Sequence, residues 1–155
     1  MPFMPVGGLW GSDLLKQRPE FYQVMTSPFG GEKVVAVKAL VPDWAILHVH
    51  EADEFGNARI LGSAFQDTLL SRAAKKTIIT AERIVDTESF RKNPELTNVP
   101  HFLVEAVVLA PLGAKPGICY GEYDLADDGG MRAYIKAVKE DTLDKYLAGV
   151  TEGGA

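Results

Sequence analysis

Short apolar runs alternate with polar segments along most of the chain. Residues 33–41 form a β-rich run, and residues 44–50 form a second run that is almost continuously apolar. Residues 77–81 and 102–109 repeat the pattern further on. Such runs are typical of strands buried on both faces, as in parallel sheets that helices cover. The pattern therefore predicts four main strands.

Helical periodicity appears in other segments. In residues 65–75 apolar positions recur at helical spacing, and basic residues follow where a helix would end. Residues 131–147 carry an apolar stripe that predicts one amphipathic helix. A short helix beginning at Leu14 is predicted as well, because Ser12 or Asp13 provides an N-cap side chain.

Strands that alternate with helices predict the α/β class. We expect an open, mostly parallel sheet with helices on both faces. The length of 155 residues fits a single domain over residues 1–155. The fold class by itself does not specify a function.

The first ten residues are unusual because they are apolar, rich in proline and glycine, and free of charge. Chains rarely begin in this way unless other protein covers the segment. We interpret it as a loop whose apolar residues lie against protein, and we expect self-association or a bound partner there.

Composition and charge exclude several classes of protein. The net charge of −5 gives no general attraction to nucleic acid or to anionic lipid. No apolar stretch approaches the ~20 residues that span a bilayer. Cys119 is the one cysteine, so no internal disulfide forms and a cytoplasmic location is expected. We expect neither nucleic acid nor membrane as a partner.

Two histidines raise the question of a metal site. His48 and His50 lie two apart on a predicted strand, so their side chains face the same side. His101, with Glu51 or Asp53, would complete the three or four ligands that zinc requires. The alternative is that the two imidazoles hydrogen-bond locally at the end of the strand. Two histidines are weak evidence, so no metal is expected.

Two glycine-containing loops are candidates for contact with a ligand. Gly7, Gly8 and Gly11 do not form a nucleotide-binding P-loop, because no strand precedes them and no Lys-Ser/Thr pair follows. They favour a close approach of backbone to a ligand or partner. The loop that ends in Gly56-Asn57 follows a buried strand, where ligands bind in open α/β sheets, although a solvated turn is the alternative.

Reactive side chains are few. Cys119 lies in a predicted loop without a histidine nearby in sequence, which favours a structural thiol over a nucleophile. Glu82 and Glu105 border or interrupt apolar runs. Each is either a buried catalytic carboxylate or, more simply, an edge or surface residue. No Ser-His-Asp set can be assigned.

Several motifs occur in a fixed order along the chain: PFMPV (2–6), GSDLL (11–15), ADEFGN (52–57), AAKKTIITAERIV (73–85), VPHFLVEAVV (99–108), GAKPG (113–117) and YGEYD (120–124). Together they resemble the A subunit of family I coenzyme A transferases. The clearest matches are to its AD-x-x-GN loop and its AAK-x-x-I-x-x-x-E-x-IV stretch. The last two motifs resemble the glutaconate-type branch. The resemblance covers almost the whole chain and corresponds to the carboxy-terminal part of such a polypeptide.

The resemblance implies an acyl-CoA:carboxylate CoA-transferase whose catalytic glutamate lies on a B subunit. This chain would then hold no catalytic residue, would form part of a hetero-oligomer, and would be inactive alone. Its expected role is to wall the active-site cleft. The expected substrate-binding residues are Gly8, Gly11, Ser12, Gly56 and Asn57. The CoA thioester is a substrate, and no further cofactor is implied.

Three positions depart from the family pattern. His101 and Glu105 stand where glycine and aspartate are usual, and Lys115 stands where histidine is common. Relatives of this branch also include ring-opening acyl-CoA hydrolases and decarboxylases. The alternatives are therefore a component of a ring-opening or hydrolytic acyl-CoA enzyme, or a folded fragment without catalytic function.

Overall fold

The structure is a computed structural model that describes residues 1–124 and 128–152. Near its amino terminus, three strands form an antiparallel sheet. The chain divides into two compact units, Met1–Pro42 and Asp43–Ala155. The first unit holds this sheet and one short helix: β1 (Phe3–Val6), α1 (Leu14–Gln17), β2 (Tyr22–Thr26) and β3 (Lys33–Lys38). The prediction of a single domain over residues 1–155 stays a prediction.

The strands β1 and β2 were not expected from the sequence, whereas β3 lies in the predicted run of residues 33–41. β3 is central and pairs with both β1 and β2. β1 carries Pro5, which lacks the N–H that a central strand needs, and its place at the edge of the sheet accommodates that residue. The interpretation of residues 1–10 as a loop was thus wrong for β1. The expected start of α1 at Leu14 is confirmed.

The second unit contains the predicted parallel sheet. Its elements are β4 (Trp44–Ala52), β5 (Ala58–Arg59), α2 (Asp67–Ala73), β6 (Lys76–Ile84), α3 (Thr87–Lys92), β7 (Ala106–Leu109), α4 (Asp128–Lys139) and α5 (Leu143–Glu152). The strand order is β5-β4-β6-β7. β4, β6 and β7 run parallel, whereas β5 folds back antiparallel to β4. The predicted α/β class with an open, mostly parallel sheet is confirmed.

One face of this sheet builds the core. Leu47 pairs with Ile79, and Val49 pairs with Ala81. All four side chains are buried and belong to one apolar cluster. Leu70 of α2 packs against that cluster. Since strand residues alternate between faces, His48, Thr80 and Glu82 project from the opposite face.

Two predicted elements have different bounds in the structure. A 3₁₀ turn over His101–Leu103 replaces the first part of the strand expected at residues 102–109, and β7 begins only at Ala106. The helix expected over residues 131–147 is two helices. Asp141 lies in the left-handed region (φ 54°), and the Thr142 N–H donates to the Ala137 carbonyl, which ends α4 as in a Schellman motif.

Among the helices of the described residues, none combines the length and apolar character that a bilayer span requires.

Candidate functional site

The loop after β4 is organised by one buried carboxylate. Asp53 has no exposed surface. Its Oδ1 accepts hydrogen bonds from the N–H groups of Phe55, Gly56 and Asn57 at 3.1, 2.9 and 2.9 Å. Its Oδ2 accepts a hydrogen bond from Asn57 Nδ2 at 2.7 Å. This single side chain therefore holds the turn at the carboxyl end of the strand.

The same hydrogen bonds keep Asp53 ionised. Burial raises the pKa of its carboxyl group, but the hydrogen bonds from the side chain and backbone of Asn57, from Thr87 and from Phe55 outweigh that effect. The net pKa lies below the ordinary value, as expected for a carboxylate that accepts several N–H groups. The loop thus presents a fixed, internally compensated negative charge.

Gly56 and Asn57 have clear local reasons for their identity. Gly56 has φ +103°, and a Cβ there would lie 2.8 Å from the Val104 Cβ, so a side chain would overlap a neighbour as well as strain the backbone. The Asn57 Oδ1 accepts the His101 N–H at 3.1 Å. The N–H of Gly56 and one amide hydrogen of Asn57 are directed to Asp53, so these groups are engaged within the loop.

A cavity of about 440 Å³ lies beside this loop, and Asn57 lines it together with Phe55, Phe90, Arg91, Pro94 and His101. The cavity collects residues that follow β4 and residues that follow β6, so it sits at the carboxyl ends of two adjacent parallel strands. Ligands bind at this edge in open α/β sheets. Aromatic side chains with one guanidinium and one imidazole suit an organic anion.

A second cluster of polar side chains surrounds Glu82, on the face of the parallel sheet opposite to the apolar core. The side chain of Glu82 is 5% exposed. Glu82 Oε1 lies 2.7 Å from His48 Nε2 and 2.6 Å from the Tyr123 hydroxyl, which donates to it. Oε2 accepts the Leu112 N–H at 2.8 Å. Glu82 is therefore the buried carboxylate that the sequence left open, whereas Glu105 is exposed and paired with Lys76.

The environment determines the protonation of this group. Burial raises the pKa of Glu82, but hydrogen bonds from Tyr123, the Leu112 amide and His48 outweigh it, and the net pKa is lowered. Burial and the Glu82 hydrogen bond raise the pKa of Tyr123 to about 12. At neutral pH the pair is thus a carboxylate that accepts a hydrogen bond from a neutral phenol.

The two strand histidines serve different neighbours. His48 Nδ1 lies 2.9 Å from the Thr80 hydroxyl. His50 Nδ1 accepts the Leu61 N–H at 3.2 Å, which places the ring proton on Nε2, 2.8 Å from the Tyr120 carbonyl. Both nitrogens of His50 are therefore engaged locally, which is the alternative that the sequence left open. Both rings border a larger cavity of about 840 Å³.

Cys119 borders the same cavity but is not an activated nucleophile. It is 5% exposed. Burial, together with the negative charges of Glu82 and Glu122, raises the pKa of its thiol. A nucleophilic cysteine needs the opposite shift.

The sequence analysis did not identify Tyr123 as a partner of Glu82. The YGEYD motif, which contains Tyr123, was the available signal.

The other predicted binding residues belong to the first unit. Gly8 and Gly11 are exposed, and neither N–H donates a hydrogen bond within the described ranges 1–124 and 128–152. Gly11 has φ +79°, which favours glycine. The Ser12 hydroxyl accepts the Leu14 N–H at 3.2 Å, at the start of α1. Gly56 and Asn57 lie in the second unit.

Comparison with known sequences supplies the family. A family model described as Coenzyme A transferase matches residues 1–110. The chain is 39% identical over 154 residues to the A subunit of glutaconate CoA-transferase from Acidaminococcus fermentans, covering 90% of this chain and 48% of that relative. It is 32% identical over 150 residues to the cholesterol ring-cleaving hydrolase IpdA subunit of Rhodococcus jostii, covering 90% and 49%.

Solved structures agree with these sequences. The crystal structure of the Acidaminococcus glutaconate CoA-transferase superposes with a TM-score of 0.82 at 38% identity, over 98% of this chain and 52% of that one. A variant of the decarboxylase AibA/AibB gives 0.83 at 31% identity, over 98% and 54%. The chain thus spans about half the length of these relatives. It belongs to the coenzyme A transferase family and is similar to the A subunit of glutaconate CoA-transferase.

Proposed function

We propose that this chain forms part of the A subunit of an acyl-CoA:carboxylate CoA-transferase of the glutaconate type. The observation that carries the proposal is the sequence identity to the A subunit of glutaconate CoA-transferase, which exceeds the identity to the ring-cleaving hydrolase relative. In the proposed reaction the acyl-CoA thioester is attacked by a glutamate of a B subunit. The displaced CoA thiolate attacks the glutamyl carbonyl of the resulting anhydride, which gives a glutamyl-CoA thioester and releases the donor acid as its carboxylate. The acceptor carboxylate then takes the CoA by the same two exchanges in reverse, which restores the glutamate.

The chemistry of the described residues is consistent with a supporting role in that reaction. Glu82 is buried and held by three donors, so its oxygens are not free to attack a thioester. The pKa of the Cys119 thiol is raised, which disfavours the thiolate. We therefore assign the nucleophile to the partner, and we expect this chain to be inactive alone.

The contribution of this chain is to shape the cleft. The free N–H groups of Gly8 and Gly11, with the Ser12 hydroxyl, are suited to bind a carboxylate or a developing oxyanion. On the second unit, the turn at Gly56 and Asn57 borders the 440 Å³ cavity. We propose that both loops contact acyl-CoA or the acceptor acid, with the Asp53 hydrogen bonds holding the second loop rigid.

A hetero-oligomer with a B subunit is part of the proposed function. The exposed apolar side chains of Phe3, Met4 and Trp10 suit burial against other protein. We also propose a cytoplasmic location, because Cys119 is a free thiol without a disulfide partner.

An exchange assay tests the function directly. The chain would be combined with the polypeptide that supplies the remaining half of the A subunit, together with the B subunit of the same genome. An acyl-CoA and a free carboxylate would be supplied, and the thioesters followed by chromatography. We expect a new acyl-CoA only in the complete mixture, and none when any one polypeptide is omitted.

Other outcomes would contradict the proposal in distinct ways. Release of free CoA without a new acyl-CoA would indicate a hydrolytic or ring-opening enzyme. Release of carbon dioxide with the thioester intact would indicate a decarboxylase. If the mixture stays inactive while an intact A subunit with the same B subunit is active, the chain is a folded fragment without catalytic function.

Gly8→Leu tests the first loop in the same assay. Nothing lies within 4 Å of a Cβ added at Gly8, so the folded chain should tolerate the substitution. Leucine would block backbone access to the ligand, and we expect kcat/KM to fall about 100- to 1,000-fold, on the scale of losing an oxyanion-site donor. Gly130→Leu is the matched control, since nothing lies within 4 Å there either. Equal kcat/KM values for the two variants would show that the loop of Gly8 does not contact the ligand.

A further inference from the structure

His48, Glu82 and Cys119 form a cluster that no step of the proposed transferase reaction uses. They come from β4, from β6 and from the loop that follows β7. One imidazole nitrogen, one carboxylate oxygen and the thiol sulfur all lie within 4.8 Å of one another. Glu82 and Cys119 are buried, and His48 is half-buried. From the sequence, His48 and His50 were weighed as metal ligands and no metal was expected. This cluster keeps His48 and joins it to a carboxylate and a thiol instead of His50.

The geometry points to a divalent metal site at His48, Glu82 and Cys119, suited to Zn²⁺ and to Co²⁺ as its probe. Sulfur, imidazole and carboxylate are the three ligand types that zinc takes in proteins, at roughly 2.0–2.3 Å. A tetrahedral ion separates its ligand atoms by roughly 3.3–3.8 Å. Since no two of the three ligand atoms are more than 4.8 Å apart, a change of roughly 1–1.5 Å or less would bring the separated pairs to that spacing. The hydrogen bond of 2.7 Å between His48 Nε2 and Glu82 Oε1 would open as the ion enters.

Surrounding groups hold the three ligands in place, as outer-shell partners do in known metal sites. The Tyr123 hydroxyl and the Leu112 N–H orient the Glu82 carboxylate. The Thr80 hydroxyl contacts His48 Nδ1 and leaves Nε2 as the ligand atom. When His48 Nδ1 carries the ring hydrogen, the Thr80 hydroxyl donates its own hydrogen bond to the Leu47 carbonyl, 3.3 Å away.

The larger cavity provides an entry path and room for a fourth ligand. The 840 Å³ cavity is bordered by His48 and by Cys119, so an ion can reach the cluster from that side. Three protein ligands with one position open to water are the arrangement of catalytic rather than structural zinc sites. The site would thus hold an exchangeable water molecule facing the cavity.

Proton balance can be written for the binding step. The hydrogen of His48 moves from Nε2 to Nδ1, where Thr80 accepts it, and Glu82 remains a carboxylate. Cys119 loses its thiol proton to solvent as the metal–sulfur bond forms. One proton is therefore released for each ion bound, and no oxidant or reductant takes part.

Titration of the full chain with Co²⁺ tests the inference without any activity assay. We expect one ion per chain, a near-ultraviolet thiolate-to-cobalt band, the strong visible bands of a four-coordinate ion, and displacement of Co²⁺ by Zn²⁺. Absence of the thiolate band in the unsubstituted chain would overturn the inference, and this result does not depend on any variant folding.

Three variants locate the site. Cys119→Ser should abolish the thiolate band and lower affinity more than about 100-fold, beyond the range of outer-shell changes. Tyr123→Phe, which removes only an outer-shell partner, should lower affinity about 10- to 100-fold and keep the band. Glu105→Gln is the matched control, because Glu105 is exposed and lies outside the cluster. Binding that Cys119→Ser leaves unchanged would place the ion elsewhere and refute the site.

Discussion

Glu82→Ala is expected to lower the free energy of unfolding by about 3–5 kcal/mol, the range for removing one partner of a buried ionic network. The substitution leaves the Tyr123 hydroxyl, the Leu112 N–H and the His48 ring without their acceptor. Each unpaired donor in a buried site costs about 1–3 kcal/mol, and the costs are not additive. The loss should be measured as the shift in urea midpoint followed by circular dichroism.

Glu105→Ala is the matched control for that experiment. Glu105 also forms an ion pair, with Lys76 at 3.0 Å, but both side chains are about half exposed. Exposed pairs contribute about 0–1 kcal/mol, so this variant should unfold close to the unsubstituted chain. Equal midpoints for the two variants would show that the Glu82 network does not stabilise the second unit.

The Glu82 network also predicts a dependence on pH. The folded pKa of Glu82 is lowered, so its contribution to stability is complete above the ordinary pKa of about 4.3 and is lost as the pH falls through the folded value. Glu82→Gln should therefore show a weaker decline in stability below about pH 4 than the unsubstituted chain. A parallel decline in both would exclude Glu82 as a source of acid sensitivity.

Asp53→Ala is the second substitution with a large expected effect, about 3–4 kcal/mol in the free energy of unfolding. The Asp53 carboxylate accepts three backbone N–H groups and the Asn57 side chain while fully buried. Alanine leaves these donors unsatisfied, so the turn before β5 should loosen along with the wall of the 440 Å³ cavity. Hydrogen exchange of the Gly56 and Asn57 amides would report this local opening.

Asp86→Ala provides the comparison. Asp86 is exposed and accepts one backbone N–H, from Glu88 at 2.7 Å, as the N-cap of α3. Loss of such a cap costs about 1 kcal/mol. A smaller loss for Asp53→Ala than for Asp86→Ala would contradict the assigned role of the buried carboxylate.

Acid should affect the loop of Asp53 in a defined direction. The folded pKa of Asp53 is lowered, so its stabilisation is complete above about pH 4 and disappears as the pH falls through the folded value. Asp53→Asn keeps the shape but removes the charge, and this variant should lack that part of the acid dependence. If the stability of Asp53→Asn declines at low pH as much as that of the unsubstituted chain, the acid dependence arises from other carboxylates.

The local pattern of the sequence predicted the main strands of the second unit and the helix α2. Continuous apolar runs marked β4 and β6, although the expected burial on both faces is not observed, because Leu47 and Val49 lie in the core whereas Ile46 is 69% exposed. The turn at Gly56-Asn57 was also predictable, because its glycine has a positive φ that the sequence signals locally. Short-range chemistry of this kind is contained within a few neighbouring residues.

The tertiary structure decided what surrounds Glu82. The residues that contact it lie 34 positions before it, at His48, and 30 and 41 positions after it, at Leu112 and Tyr123. Apolar periodicity records whether a residue is buried but not which distant side chain meets it. For the same reason β1 was missed, since its pairing with β3 joins segments about thirty residues apart and its own sequence resembles a loop. Sequence alone thus specified the main strands of the second unit and the loop after β4, whereas long-range packing created the polar cluster and its cavity.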